Sequence, residues 1–575
     1  MFLTTCLSIL SLWGAAAVAV MLPSYIKVRK INIIFAGVFL SLFCIYAPMC
    51  SFMFASDGFS PVKTFLLSLY NVICVFLANG DFEKIREFSV GNVPFVYNLF
   101  IFHSLFLYLL APIMTFGFVL SFFRNTLSYV KYILFFRKRA YILSELNERS
   151  IILARNIKKN DEFKHIVFCS VSEENPFIHE AGEIGAVCLR RGVCDIKIFG
   201  DSNIFMIGND ESENTADALK LTYKYFSLAI NVYVFASKPE NALLLSSVSN
   251  CQALRLLRLD MDFELVFNML YERGHIIFDS ARELSDGKKL ISAVVVGLHG
   301  AGREMLRALP WFCQMDGYRV SINAFDEDSL AEEKFTFLCP ELMSPEHNGT
   351  SVDGDAEYEI KIHSGISPDT KSFADSISEI SDASFVFVSL GDDERNINVS
   401  VNLRMLFARA GLHPKITAVV ENPEKSVSFK ALSNFRGERY DIDIAGSFLE
   451  AYSESRITDS ALRADALSRH LKWGSENDFF AYEYCRRSSC AAAIHMLARA
   501  RCGLAYANKR AEELSESERD ALECLEHKRW NAFMRSEGYV FAPNRDDIAK
   551  THNNLVPFRE LSETDKHKDS AVGTN

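Results

Sequence analysis

Long apolar runs fill the first quarter of the chain, and short apolar runs alternating with amphipathic segments fill the rest. Four stretches carry no charge: Phe2–Ile26, Ile31–Ser56, Thr64–Gly80 and Phe88–Phe123. About 20 apolar residues cross a hydrocarbon core as a helix. The first, second and fourth stretches are therefore predicted spans. The third, at 17 residues, is either a short fourth span or a re-entrant helix. The first is too long for a secretory signal and lacks a basic leader. From Ala140 the period changes. AYILSE, HIVFCSV, DIKIFG and NVYVFAS read as buried strands; IILARNI, HEAGEIGAVCLRRG and a segment near Ala216–Phe226 read as the intervening helices. The same alternation returns with VVV (residues 294–296), YRVSINAFDED and FVFVSLGDDERNI. Strands alternating with helices imply parallel, doubly wound sheets. The expected organisation is an α-helical membrane domain over residues 1–139 and tandem Rossmann-like α/β units over 140–285 and 286–450. A small, mostly helical module over 451–575 completes it, including an amphipathic helix across Tyr482–Gly503.

Charge sharpens this division. Residues 1–139 hold eleven Lys and Arg against four acids, so the remainder carries −18 of an overall −11. Lys27, Arg29 and Lys30 follow the first apolar stretch, and Arg124, Lys131, Arg137, Lys138 and Arg139 follow the last. Basic residues favour the cytoplasmic side. Three spans plus a re-entrant helix put both clusters there, whereas four spans put one on the wrong side. Residues 140–575 are thus expected in the cytoplasm, below a plasma (inner) membrane crossed several times. RNTLSYVKYILFFRKR, after Phe123, suits an interfacial helix. No basic stripe marks the acidic part, which argues against nucleic acid as a partner. The 14 cysteines include no CxxC pair; they read as reduced thiols, with no metal expected. No nucleophile, base and orienting group recur at motif spacing, so no catalysis is expected.

Three segments carry candidate chemistry. The third apolar stretch runs into ANGDFE. A re-entrant helix ending there resembles the pore helix and filter of ion channels, which makes Asn79, Gly80, Asp81 and Glu83 candidate pore residues. The alternative is an ordinary acidic loop. The TVGYG string is absent, so potassium selectivity is not implied. The second segment is LISAVVVGLHGAGREMLRAL. It sets a glycine turn between strand and helix, the context of dinucleotide binding. Gly297, Gly300 and Gly302 form the turn, His299 stands where the middle glycine is usual, and Asp326 lies where a ribose-binding acid belongs. Both a bound nucleotide and a purely structural turn fit. The corresponding turn of the first unit has Ser144, Glu145 and Asn147 instead of glycines and reads as a polar turn and helix cap. Residues Leu290–Asn422, with FLCPEL, IHSGI and FVFVSLGDDERNI, resemble the potassium-conductance-regulator family of channel domains, whose core binds NAD. Under that resemblance Asp392, Asp393 and Asn396 lie where a ligand or partner domain would sit.

The third segment is LEHKRWNAFMRSEGYVFAPNRDDIAKTHNNLVPFRELSETDKHKD. It resembles the ryanodine-receptor repeat domain through His527, Trp530, Gly538, Tyr539, Arg545, Asp546, Asp547, Lys550, His552, Leu555, Val556, Pro557, Phe558, Leu561 and Lys566. That resemblance implies a site for an adenine nucleotide. Trp530 and Tyr539 offer either stacking faces or a small core. Arg545, Lys550 and His552 could meet phosphates, or Arg545 and Asp546 could form a structural ion pair. The module is expected to be separable, so that losing residues 520–575 leaves the Rossmann fold intact. Together the resemblances imply a ligand-gated, oligomeric (tetrameric) channel or membrane-permeabilising effector, of the kind used against viruses or stress. Its signal would be NAD or another adenine nucleotide. A pore-free membrane-anchored sensor or scaffold is the alternative, and an NAD-dependent enzyme the last.

Overall fold

The computed structural model describes residues 30–53, 60–89, 94–135, 139–246, 253–350, 357–428, 441–502 and 509–566. The stretch Phe2–Ile26 lies outside them. Met1–Val130 and Lys131–Asn575 are separate compact units.

In the first unit, α1 is Lys30–Met53, α2 Ser60–Phe76, α3 Phe82–Ser89 and α4 Pro94–Phe135. Within α4, Tyr97–Gly117 is long and apolar enough to cross a membrane; Gly37–Met53 and Pro61–Phe76 are shorter apolar helices. Val38, Leu42, Tyr46, Val72, Val75, Leu107 and Ala111 form a core among these helices. Large apolar side chains such as Phe52, Phe95, Phe102 and Phe116 face outward. That surface is costly in water and suited to lipid. The basic segment after Phe123 continues α4 instead of starting a separate helix.

The second unit holds two parallel sheets. The first contains β1 (Ala140–Leu143), β2 (His165–Phe168), β3 (Val187–Cys188), β4 (Ser202–Met206), β5 (Ile230–Phe235) and β6 (Leu254–Leu259), in the order β3-β2-β1-β4-β5-β6. Helices α5 (Glu148–Asn160), α6 (Glu211–Tyr225) and α7 (Met261–Arg273) follow β1, β4 and β6. This order, reversing beside the first strand, is that of the doubly wound Rossmann sheet. Two details differ from the expected pattern. The helix in HEAGEIGAVCLRRG is only Ile178–Glu183: Gly185, at φ +68°, ends it and releases Val187–Cys188 as the edge strand. DIKIFG is not a strand. Its Ile196 and Ile198 are buried, but the ladder passes to Ser202–Met206, whose Ile204, Phe205 and Met206 are fully buried between β1 and β5.

The second sheet repeats the plan. Its strands are β7 (Arg282–Glu283), β8 (Lys289–Val296), β9 (Tyr318–Asp326), β10 (Gly349–Thr350), β11 (Glu357–Ser364), β12 (Phe385–Val388), β13 (Lys415–Val419) and β14 (Ile442–Ala445). The order is β10-β11-β9-β8-β12-β13-β14, with β7 and β10 antiparallel at the margins. Helix α8 (Ala301–Phe312) follows β8, and α9 (Asp393–Arg409) follows β12.

The C-terminal segment contributes α10 (Ala461–His470), α11 (Glu483–Arg501), α12 (Glu516–Ser536) and a two-stranded ladder of β15 (Val540–Phe541) and β16 (Thr551–His552). Among the described residues its apolar side chains pack into a shared core. One apolar cluster joins Phe263 and Val266 of α7, Met305 and Trp311 of α8, Ile494 of α11, Phe533 of α12, Tyr539 and Leu555. The rings of Trp311 and Phe533 meet edge to face at 6.0 Å. This differs from the expected separable module: removing residues 520–575 strips one wall from the second sheet's core.

Candidate functional site

The structure brings Gly297, His299, Gly300, Gly302 and Asp326 together at the carboxyl end of β8, and it shows what the glycines are for. A Cβ on Gly302 would lie 1.9 Å from the Gly297 carbonyl oxygen, and one on Gly297 2.1 Å from that of Ser389. Both glycines let backbone approach backbone. At Gly300, where φ is +51°, a Cβ would lie 2.8 Å from Oδ1 of Asp262. A carboxylate from α7 therefore already sits over the turn, at the amino end of α8, where phosphates are usually received. Glu304 is buried in the first turn of that helix. Burial, reinforced by Asp260 and Glu304, pushes Asp262 up to about 7. Asp326 is also spent internally: its carboxylate accepts from Leu298 N at 2.6 Å and from Asp328 N at 2.8 Å. His299 is exposed, 4.0 Å from Asp326. The loop is closed by its own acids.

The other sheet-end turns are likewise self-satisfied. Ser144 Oγ accepts from Ile207 N, Glu145 from Asn209 N, and Asn147 with Ser150 forms a capping box on α5. Asp392 caps α9, Asp393 accepts from Glu421 N and Asn422 N, and Asn396 bridges Leu390 N and Val419 O.

In the first unit, Asn79 N donates to Cys74 O at 2.8 Å as α2 ends, and Ala78 turns the chain at φ +57°. Gly80 packs against Tyr108 and Val75 with no room for a Cβ. Asp81 pairs with Lys84 at 3.2 Å and Glu83 with Arg86 at 2.7 Å. Each carboxylate thus has a base one turn along α3.

The C-terminal segment, by contrast, encloses a cavity of about 440 Å³. Trp530, Arg545 and His552 line it; Asp546 and Lys550 do not. Asp546 accepts from Ile548 N and Ala549 N, shaping the loop behind Arg545, and Lys550 Nζ donates to Glu537 O at 2.7 Å. Tyr539 is buried in the core. Helix α12 presents Trp530, His527, Glu526 and Arg529 to the cavity because these positions recur at three- and four-residue spacing along one face. His527 Nε2 donates to Val556 O at 2.8 Å and fixes the loop that carries Asn553 and Asn554. The Arg545 guanidinium lies over the Tyr484 ring, 5.1 Å from its centre, and pairs with Asp547 at 3.1 Å. Its partner contacts are charge-assisted, yet it stays half exposed at the mouth. Sequence reasoning missed Trp473, Tyr484, Glu526 and Arg529. Glu526 and Arg529 had one visible signal, opposite charges three residues apart on a helix, which ordinarily marks a solvated face.

No known family profile matches the sequence, and no curated protein does. Among solved structures, similar ones include GsuK bound to ADP and the GsuK channel, each at 14% identity, covering 74% of this chain and 96% of that one, with TM-scores of 0.33 and 0.35. The GsuK RCK domain is similar at 11% identity, over 58% of this chain and 79% of that one, with a TM-score of 0.34. The Rossmann assignment rests on the strand orders of the two sheets.

Proposed function

We propose that this chain is a ligand-regulated, oligomeric membrane protein that conducts ions or permeabilises the bilayer, with residues 140–575 in the cytoplasm as its sensor. The cavity beside α12 carries this reading: aromatic walls from Trp473, Tyr484 and Trp530 with the cations Arg529 and Arg545 fit a nucleotide-type anion. The self-filled turn at Gly300 favours this cavity over the glycine loop as the ligand site. Membrane insertion is supported by Tyr97–Gly117 and the outward-facing apolar residues around it. So few helices cannot enclose a conduction path alone, hence the oligomer, a tetramer by family resemblance. An adenine nucleotide is the ligand of choice, and an antiviral or stress effector role follows if binding opens the pore. The reading assigns no catalysis and no metal. The pore-free alternative, a membrane-anchored sensor, draws support from the pairing of Asp81 with Lys84 and Glu83 with Arg86, which offsets the negative charge a cation mouth would need. Purified full-length protein in a planar bilayer, recorded with and without AMP, ADP and NAD, separates the two. Nucleotide-dependent current is expected. Nucleotide binding with no current under any condition would leave the sensor reading and remove the pore.

A further inference from the structure

The residues lining the cavity include an arginine with one unsatisfied nitrogen. Arg529 is 1% exposed. Its Nε and Nη2 both donate to Oε1 of Glu526, at 3.0 and 2.7 Å. Its Nη1 is buried and has no hydrogen-bond partner among the described residues. The other Glu526 oxygen, Oε2, accepts from Arg499 Nη2 at 2.7 Å. One carboxylate thus serves two buried guanidinium groups. His495 adds no charge: Nε2 donates to Gln314 O, Nδ1 accepts from Arg499 Nε at 3.1 Å, and burial beside the two arginines holds it neutral. A buried donor without an acceptor is costly, more so when charged. Buried polar groups in folded proteins rarely stay in that state. Arg529 is among the residues that line a cavity, which also offers aromatic faces from Trp530 and Tyr484 and the amides of Asn553 and Asn554.

Building on the nucleotide reading of this cavity, we infer that Arg529 is its anion anchor and that the ligand is a nucleoside mono- or diphosphate bound with its phosphate inward on Nη1 and its base against the aromatic wall. The volume agrees. About 440 Å³ is near the low end of the roughly 300–1,000 Å³ of small-molecule sites, room for one base, one sugar and one or two phosphates. Arg545, at the mouth, then meets the sugar edge or an outer phosphate.

Titration calorimetry on the full-length protein in detergent tests this, with AMP, adenosine and inorganic phosphate as probes. Wild-type protein is expected to bind AMP roughly ten- to a hundredfold more tightly than adenosine, the worth of a charge-assisted contact. Arg529→Met keeps the side-chain bulk and leaves Glu526 paired with Arg499, so the variant should fold. It should bind AMP no better than adenosine, with adenosine affinity unchanged; Arg529→Lys should recover part of the loss. Equal affinity of wild-type protein for AMP and adenosine would overturn the anchor without any variant being needed. So would AMP binding by Arg529→Met at wild-type strength, and in both cases the nucleotide reading survives. Wild-type protein that binds neither AMP, ADP nor adenosine at millimolar concentration would sink the nucleotide reading itself. Tight binding of inorganic phosphate alone would retain the anchor and discard the base.

Discussion

Gly302 shows how a single position can mislead. A methyl group there meets the Gly297 carbonyl at 1.9 Å, so the amino end of α8 must move away from β8. Gly302→Ala is expected to lower stability by about 3 kcal/mol or more, in the range of severe backbone clashes. Gly317→Ala, at φ +80° in open space, should cost only the left-handed penalty of about 1–2 kcal/mol. Thermal melts of both variants in detergent check the difference. The glycine spacing was legible in the sequence, but its purpose was not. A turn that admits phosphate and a turn that admits a carbonyl need the same residue, and the side chain over this one, Asp262, comes from the helix after β6. Asp262 also gives a pH signature. Its folded value is raised from the usual 3.8 to about 7, so its contribution to stability is fully present only below about 3.8 and is lost progressively as pH rises through about 7. Asp262→Asn should therefore raise the melting temperature more at pH 8 than at pH 5. Asp260 and Glu421 shift the same way and remain in the variant. A larger gain at pH 5 than at pH 8 would contradict the assignment. Glu304 and Glu483 act oppositely: held at about 2 by their arginines, they lose their contribution only as pH falls toward that value.

Helices α8, α11 and α12 are joined by ions as well as by apolar packing. Arg487 of α11 reaches Glu304 at 3.2 Å and Glu537 at 2.9 Å, and Arg307 of α8 meets the same two acids and donates to Ser536 O. Two arginines and two carboxylates meet there, largely out of water. Removing one partner leaves an uncompensated buried charge, which typically costs 3–5 kcal/mol. Arg487→Met is expected near the lower bound, about 3 kcal/mol, because Arg307 still serves both acids. Equilibrium unfolding in denaturant measures it. The strands and helices that make this arrangement possible were largely readable from alternating apolar runs, and the parallel sheets appear in the expected segments. What periodicity misplaced was local: DIKIFG has the composition of a strand, yet SNIFM takes the ladder position, since both runs bury isoleucine and only pairing with β1 and β5 decides between them. The cavity was half readable. Trp530, Arg545 and His552, singled out through a resemblance, line the cavity, whereas Arg529 looked like one more charge on a polar helix until the packing around it was known.

At the scale of the whole molecule, the shared apolar cluster couples the second sheet to the C-terminal helices. Ligand in the cavity should therefore protect both. At a hundredfold excess over Kd, binding adds about 2.7 kcal/mol, and amide exchange should slow together in β8, β9 and α12. Protection confined to α12 and its loop would show that the cavity segment opens independently. The same cluster sets a schedule for making the protein. A ribosome delivers the apolar faces of β8, α8 and α11 well before Phe533, Tyr539 and Leu555, which cover them. Until Leu555 leaves the exit tunnel, that half-built layer is exposed and prone to wrong association. A chain cut before Phe533 would then lack the cover of this core. It would leave an open sheet, so the order in which the chain is spelled puts the cover on last among these elements.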